Sequence, residues 1–265
     1  MMEKMIFGRY VPADSVLHRM DPRAKLAIIF LFVCVVFLAN NILTYAILTV
    51  YTLMMVRSSR VPARFIYMGL RPVLWLVLFT LLLHVFMTKG GEVILDLGWL
   101  KVYEEGLKQG LFISMRFFLL IMMTSLLTLT TTPIEITDGL ESLLGPLNKV
   151  KFPVHELALM MSISLRFIPT LMQETDKIMK AQTARGVDFS GGPIKDRVKS
   201  IIPLLIPLFV SSFKRAEELA TAMEARGYRG GEGRTKYRQL NWSTRDTLML
   251  LLLLAVAALL AVFRT

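Results

Sequence analysis

Two six-residue segments, Ala181-Gln182-Thr183-Ala184-Arg185-Gly186 and Ala222-Met223-Glu224-Ala225-Arg226-Gly227, repeat one pattern in the second half of the chain. Each is typical of the last turn of a helix, because alanines three residues apart lie on one face and let another backbone approach closely. The arginine lies where unpaired carbonyls make a helix end negative, and the glycine after it suits a left-handed cap. The pattern predicts two helices with the same cationic end, and we call the two segments the tips.

A single Arg-Gly ending is ordinary helix capping. Here Arg226 follows Arg185 by 41 residues with matching alanines, in a basic and polar region of an otherwise apolar chain. No nucleophile, acid–base pair or metal-ligand set accompanies either tip, so neither resembles an active site. Two equivalent cationic tips predict a partner with two equivalent docking places.

The composition indicates a polytopic membrane protein. Apolar residues make up 54% of the chain, and the mean hydropathy is +0.56, which is high for a soluble domain. The single cysteine, Cys34, excludes a disulfide framework and a multi-cysteine metal site. The first 25 residues contain no continuous apolar core and no small-residue cleavage site, so we expect the first span itself to direct membrane insertion.

Five apolar stretches predict membrane spans. Asn40 and Asn41 separate the first two, and each is shorter than the roughly 20 residues that usually cross a bilayer. A hairpin is therefore favoured over one tilted helix across residues 26–56, with Lys25 and Arg57 snorkelling at its ends. The predicted spans are residues 26–39, 42–56, 72–87, 110–132 and 247–263.

Two polar residues within these stretches have ordinary interpretations. His84, near the end of the third span, predicts an interfacial or inter-helix polar contact rather than a ligand. Arg116 lies near the outer end of the fourth span and is expected to snorkel toward the interface. Between these spans, residues 88–108 form an acidic-leaning loop that fits the outside.

Residues 133–245 predict a coupling region of helices outside the membrane core. A short amphipathic helix begins at Pro133 and ends at Gly145-Pro146, and long helices follow over about 154–185 and 194–226. Each long helix has an apolar first half, which suits contact with a membrane domain or lipid headgroups, and a charged second half. Its prolines mark either bends or boundaries between shorter helices, and the sequence leaves both open: Pro169, Pro203 and Pro207.

The basic residues predict the orientation. The net charge is +11, and the segments assigned inside carry 26 Lys and Arg residues against 4 in those assigned outside. The positive-inside rule then places the N-terminus and the coupling region in the cytoplasm and the C-terminus outside. Nucleic-acid binding is the rival explanation of the charge, but apolar helical stretches interrupt the basic clusters.

The tips resemble the coupling motifs of the transmembrane (T) component of energy-coupling factor (ECF) transporters, which import vitamins or metal ions. The segment Asp21-Pro22-Arg23-Ala24-Lys25 resembles the Asp-Pro-Arg-x-Lys motif that precedes the first membrane helix of that family. The resemblance covers nearly the whole chain. It implies an all-α multi-pass protein of a prokaryotic inner or plasma membrane, with about five transmembrane helices and a cytoplasmic or interfacial region of two long coupling helices.

The resemblance also implies the partners and the division of the chain. Residues 1–132 are expected to hold the N-terminal segment and four spans, residues 133–244 the coupling region, and residues 245–265 the last span. Two cytoplasmic ATPase subunits, as a homo- or heterodimer, and a substrate-binding membrane S-component are the implied protein partners. The implied ATPase-binding residues are Ala184, Arg185, Gly186, Ala225, Arg226 and Gly227. The chain itself is expected to bind no cofactor and no nucleic acid, and ATP is used by its partners.

A membrane-embedded enzyme acting on a lipid or polyprenyl phosphate is the alternative function, with the tip arginines as phosphate clamps. It requires acidic metal ligands or a base near those arginines, and Asp188 and Glu224 form no metal pattern. The sequence contains no G-x-x-x-x-G-K-[ST] loop, so the chain has no nucleotide-binding motif of its own. A non-catalytic transporter subunit is the preferred hypothesis.

Overall fold

The computed structural model of the chain describes residues 10–96, 101–189, 191, 193–230 and 238–264. Within them the fold is almost entirely helical, which confirms the predicted all-α class. The elements are α1 (Pro22–Val36), α2 (Ile42–Ser59), α3 (Ala63–Met87), β1 (Val93–Asp96), β2 (Lys101–Tyr103), α4 (Glu104–Thr130), α5 (Pro133–Leu144), a 3₁₀ helix (Gly145–Val150), α6 (Val154–Ala184), α7 (Ile194–Ala225) and α8 (Thr244–Val262).

The chain divides into two compact units. The first unit comprises Met1–Leu143 with Gln239–Thr265, and the second comprises Leu144–Arg238. The second unit is inserted into the sequence of the first, so the chain leaves the first unit after α5 and returns to it just before α8.

Five described helices are long and apolar enough to cross a membrane, namely α2, α3, α4, α6 and α8. This matches the predicted number of spans but not the predicted set. With 15 residues, α1 is about 22 Å long and shorter than the roughly 30 Å hydrocarbon core. The 31-residue α6 qualifies instead, although the sequence placed it in the coupling region.

Hydrogen bonds nevertheless fix α1 beside α8 at both ends. The backbone N–H of Asp21 donates to Asp246 Oδ1 over 3.1 Å, and Asn40 Nδ2 donates to the Arg264 carbonyl over 2.7 Å. Residues 21–40 therefore traverse the same distance as α8, part of it as helix and part as the turn after it. The Phe32 and Tyr51 rings stack with centroids 5.9 Å apart, so α2 returns along α1 and the predicted hairpin is confirmed.

The core of the first unit joins α1, α2, α4 and α8. Its members share nearly complete burial and come from all four helices: Ile28, Phe32, Leu48, Leu119, Met123, Leu253 and Leu260. Because lipid tails are as apolar as leucine, close packing rather than transfer from water holds such helices together.

Small residues let α3 and α4 pack closely. A Cβ at Gly106 would lie 2.9 Å from the Thr88 carbonyl oxygen, and one at Gly110 would lie 3.2 Å from the His84 Cβ. One turn further along, Ser114 Oγ donates to the Val77 carbonyl over 3.4 Å. These residues, spaced by four, form the small-residue face that brings membrane helices into backbone contact.

Three details of the first unit differ from the sequence predictions. Lys25 does not snorkel: it is 6% exposed, and its Nζ donates to the Thr130 carbonyl over 3.0 Å, which the end of α4 leaves unpaired. Arg116 has a protein partner, donating from Nη2 to the Ala39 carbonyl over 3.2 Å in the α1–α2 turn. Pro72 lies inside α3 rather than at its start, because membrane helices tolerate interior prolines.

Two further predictions concern the segment between α3 and α4. His84 Nδ1 lies 3.3 Å from Thr88 Oγ1, a helix-end polar contact that fits its predicted structural role. The predicted loop over residues 88–108 contains the short antiparallel hairpin of β1 and β2, in which Val93 pairs with Tyr103.

The second unit is built on α6 and α7, which pack antiparallel. Three contacts show this, since residue numbers fall along α6 as they rise along α7. The contacts are Gln182 with Pro203, Glu174 with Ser211, and Phe167 with Arg215. All three prolines lie inside their helices. They therefore do not mark boundaries between shorter helices, and the long helices end within one residue of the predicted positions.

Candidate functional site: the paired helix tips

Both tips end their helices with the same hydrogen-bond pattern. At the first, the Gly186 N–H donates to the Thr183 carbonyl over 3.0 Å and the Val187 N–H to the Gln182 carbonyl over 3.0 Å. At the second, the equivalent bonds run from Gly227 to Glu224 over 2.9 Å and from Tyr228 to Met223 over 3.0 Å. These 5→2 and 6→1 bonds define a Schellman cap, so the sequence repeat is a structural repeat.

The glycines are required by their backbone conformation. Gly186 has φ +92° and Gly227 has φ +75°, values that residues with a Cβ adopt only at a cost. A Cβ at either glycine would have no atom within 4 Å. The chain therefore leaves the space beside each tip open to a partner.

The exposure of the two tips also repeats position by position. Residues 183–186 and 224–227 are exposed, and the residues on either side of each segment are half-buried. Within the described part of the chain, neither the Arg185 nor the Arg226 guanidinium has an intramolecular hydrogen bond or ion pair. Each tip thus presents, at the end of a helix, an arginine whose charge has no partner within the described chain.

The structure does not bring the tips together. Because α6 and α7 run antiparallel, Arg185 lies near the start of α7, while Arg226 lies beyond the region where α7 contacts Phe167. For straight helices, a rise of 1.5 Å per residue places the tips roughly 40 Å apart along the axis of the pair. One compact binding pocket cannot hold both.

A polar cluster on the facing sides of α6 and α7 fixes their register. Glu174 accepts hydrogen bonds from Ser211 Oγ over 3.1 Å and forms an ion pair with Arg215. The Arg215 guanidinium also lies 5.8 Å from the centroid of the Phe167 ring, within cation–π range. In the sequence these charges indicate only that the second halves of the helices are polar, and no local pattern predicts their pairing.

A second contact links the first tip to the prolines of α7. Pro207 has no N–H, so the carbonyl of Pro203 loses its helical donor. Gln182 Nε2 from α6 donates to that carbonyl over 3.4 Å. The spacing of the two prolines in the sequence already indicates an unpaired carbonyl, but nothing in the sequence identifies Gln182 as its partner.

Apart from the polar cluster of Glu174, Ser211 and Arg215, which we call the Glu174 cluster, α7 exposes an apolar face. Its side chains lie on the side of α7 away from α6 and are 42–70% exposed: Leu205, Ile206, Phe209, Val210 and Phe213. On α6, Met160 and Met161 are 55% and 45% exposed. The second unit therefore combines two cationic ends with an apolar, methionine-containing surface.

Metal-binding geometry was not found in the described residues. They contain no group of three or more His, Cys, Asp or Glu side chains placed to hold an ion. The glycine-rich segment after the second tip, Gly230-Gly231-Glu232-Gly233, predicts a stop; Gly230 has φ +93°, and the other three residues lie outside the described residues.

Comparison with known proteins identifies the family. The model of the CbiQ family, described as cobalt transport protein, matches residues 13–237. The energy-coupling factor transporter transmembrane protein EcfT of Bacillus subtilis is 66% identical over 264 residues, with 100% of both chains covered. The chain belongs to the CbiQ/EcfT family. EcfT of Listeria innocua is 60% identical over 260 residues, covering 98% of each chain, and EcfT of Streptococcus thermophilus is 53% identical over 259 residues, covering 98% of each.

Membership in the CbiQ/EcfT family confirms the class suggested by the tips. Its members are membrane components of transporters, so the chain is a multi-pass membrane component of an ECF transporter and not an enzyme. The lipid-phosphate enzyme is thereby set aside. The matched region includes the Asp-Pro-Arg-x-Lys motif and both tips.

Proposed function

We propose that the chain couples two cytoplasmic ATPase subunits to a substrate-binding membrane S-component, in an ATP-driven importer of vitamins or metal ions. The observation that carries the proposal is the pair of equivalent capped tips, each with an exposed arginine and open space beside its glycine. Their separation of roughly 40 Å favours two docking subunits, one at each tip. The ATPase pair is a homo- or heterodimer, and the chain binds neither ATP, another cofactor nor nucleic acid.

Arg185 and Arg226 each enter a groove on one ATPase subunit. A guanidinium suits this role because its planar donors clamp carboxylates or carbonyls and its charge is never lost. Ala184 and Gly186, like Ala225 and Gly227, add little bulk and let the groove close on the helix end. The Schellman caps hold each arginine at a defined distance from the helix axis.

Force reaches the S-component through the helix pair. Closing of the ATPase dimer on ATP moves the two docked tips toward each other, and the Glu174 cluster transmits this motion between α6 and α7. The exposed apolar face of α7 and the methionines of α6 provide a surface on which an apolar membrane partner repacks as it reorients.

The orientation follows from charge and from the contacts of the first unit. The contact of Asp21 with Asp246 brings segments rich in Lys and Arg to one end of the first unit. The contact of Asn40 with Arg264 brings segments poor in Lys and Arg to its other end. The positive-inside rule then assigns the N-terminus and both tips to the cytoplasm and the C-terminus to the outside of a prokaryotic plasma membrane. In this arrangement α6 is a coupling helix and not a span, although its length and composition would allow it to cross a membrane. Cysteine labelling of intact cells, with Cys34 replaced by alanine, tests this: Arg264→Cys labels from outside and Arg229→Cys does not. The reverse pattern contradicts the orientation.

Gentle detergent extraction of the tagged chain tests the proposed assembly. We expect two ATPase subunits and a second integral membrane protein to be retained, and ATP hydrolysis in the purified complex. A chain that purifies with a membrane partner but without ATPases, at several salt concentrations, contradicts the proposal.

A further inference from the structure

Arg23, in the Asp-Pro-Arg-x-Lys motif, contacts both chain connections of the second unit. Its Nη1 donates to Ser142 Oγ over 3.4 Å, and its Nη2 donates to the Leu240 carbonyl over 3.1 Å. Ser142 lies two residues before the chain leaves the first unit, and Leu240 is the second residue after it returns. These partners are 119 and 217 residues away in sequence, so one side chain joins the outgoing and the returning segment.

Asp21 fixes the direction of this guanidinium. Arg23 Nε donates to Asp21 Oδ1 over 3.1 Å, and Nη2 donates to Oδ2 over 2.8 Å. This bidentate pair sets the plane of the Arg23 guanidinium. The Asp21 side chain is fully buried. Burial raises its pKa, but the hydrogen bonds from Arg23 and the charges of Arg23 and Lys25 outweigh burial and hold the pKa of Asp21 below its ordinary value. The carboxylate therefore stays ionised at neutral pH.

The support beneath the pair is built from two further elements. Asp246, at the start of α8, accepts the Asp21 N–H through Oδ1 and the Ser243 N–H through Oδ2 over 2.7 Å. On the other side α5 lies directly on the start of α1, since a Cβ at Gly139 would be 3.2 Å from the Pro22 Cβ. Arg23 thus projects from a rigid platform of α1, α5 and α8.

We propose that Arg23 is a positioning residue that clamps the two connections of the second unit together at their origin. With the clamp closed, the two connections move together as one body, and force applied to the second unit is passed through them to α1. Without it, the connections separate and the motion is lost locally. This consequence for transport rests on the proposed function, whereas the clamp itself rests only on the contacts of the first unit.

The clamp requires an arginine. The guanidinium holds Asp21 with its Nε and Nη2 groups and still donates to Ser142 and to the Leu240 carbonyl, which five donors in a fixed plane allow. A lysine at this position retains the positive charge that Asp21 needs, but its three donors radiate from one atom. Arg23→Lys therefore tests the clamp without leaving a buried carboxylate uncompensated.

Pulsed electron paramagnetic resonance measures the clamp directly. Spin labels are placed on the exposed residues Leu143→Cys and Gln239→Cys of the full-length chain, with Cys34→Ala. We expect one narrow distance distribution that ATP–vanadate leaves unchanged. Arg23→Lys should lose the narrow peak, and ATP–vanadate should broaden its distribution further when the ATPases are bound. The matched control is Arg19→Lys, since Arg19 forms an exposed pair with Asp14 and its replacement should change nothing.

Each outcome decides one part of the proposal. A narrow distribution in Arg23→Lys overturns the clamp, and a broad one that nucleotide does not alter in the ATPase-bound complex overturns its role in force transfer. If Arg23→Lys fails to fold, Ser142→Ala removes one of the two contacts and should give partial broadening; no change there also overturns the clamp. Failure of the ATPases to bind refutes the proposed function instead, while the comparison without nucleotide still decides the clamp.

Discussion

Replacing Glu174 by glutamine should loosen the α6–α7 pair while leaving both helices formed. The amide still accepts from Ser211 but no longer pairs with the Arg215 charge. Exposed ion pairs contribute about 0–1 kcal/mol, and hydrogen bonds to charged groups about 1.5–3 kcal/mol. With 24% of the Glu174 side chain and 30% of the Arg215 side chain exposed, an intermediate loss of about 1–2 kcal/mol is expected, or roughly 5- to 30-fold in the pairing equilibrium.

Hydrogen exchange of the purified chain measures this loss. Amides of α6 and α7 near residues 174 and 211 should exchange roughly 5- to 30-fold faster in Glu174→Gln. Glu218→Gln is the control: this side chain is exposed on α7, and its replacement should change stability by no more than about 0.5 kcal/mol. Equal exchange in the two variants would refute the claim that the Glu174 cluster holds the pair.

Two further substitutions test other contacts. Gln182→Met removes the donor to the Pro203 carbonyl and should speed hydrogen exchange around the α7 prolines by about 2- to 10-fold. Met223→Gln changes the corresponding position of the second tip and should not alter that exchange. Equal effects of the two variants would contradict a specific contact of Gln182. Gly110→Leu should overpack α3 against α4 and lower the stability of the protein in detergent by about 1–3 kcal/mol. The control is Gly145→Leu, which should have little effect because a Cβ there meets no atom within 4 Å. Equal melting temperatures of the two variants would argue against close packing at Gly110.

The local features of this fold were predictable from sequence, and the long-range contacts were not. Capping residues and hydrophobic spacing are local signals, so α5, α6, α7 and α8 begin and end close to their predicted positions. The start of α3 was missed because an interior proline resembles a helix start. The sequence predicts the span at α1 but not what holds this short helix in place, because the hydrogen bonds at its two ends go to α8, more than 200 residues away.

The same distinction applies to the site. The Arg-Gly endings predicted two capped cationic tips, and both caps are present at Arg185 and Arg226. What the sequence did not indicate is which side chains join the helices. Glu174 and Arg215 are 41 residues apart and belong to helices whose antiparallel register no local pattern specifies. Lys25 was assigned to the lipid interface because the sequence does not reveal the open carbonyl at the end of α4.

Docking of ATPases by the paired tips is the central claim, and the double variant Arg185→Glu/Arg226→Glu tests it. Neither guanidinium has a partner within the described chain, so each reversal only replaces a favourable interaction with the negative helix end by an unfavourable one and should lower the stability of the chain by about 0.6–2 kcal/mol. Each reversal should weaken docking by about 2–5 kcal/mol if the arginine is buried against a charged groove, a loss of about 30- to several-thousand-fold in affinity. The two losses need not add, because both tips hold one ATPase pair.

Pull-down of the ATPase subunits with the tagged chain is the direct measurement, with Arg166→Glu, an exposed reversal on α6 away from the tip, as the control. The double variant should release the ATPases while the membrane partner stays bound, and the control should retain both. Retention of the ATPases by the double variant at the level of the unmodified chain would contradict the docking role and leave the repeated motif as helix capping alone.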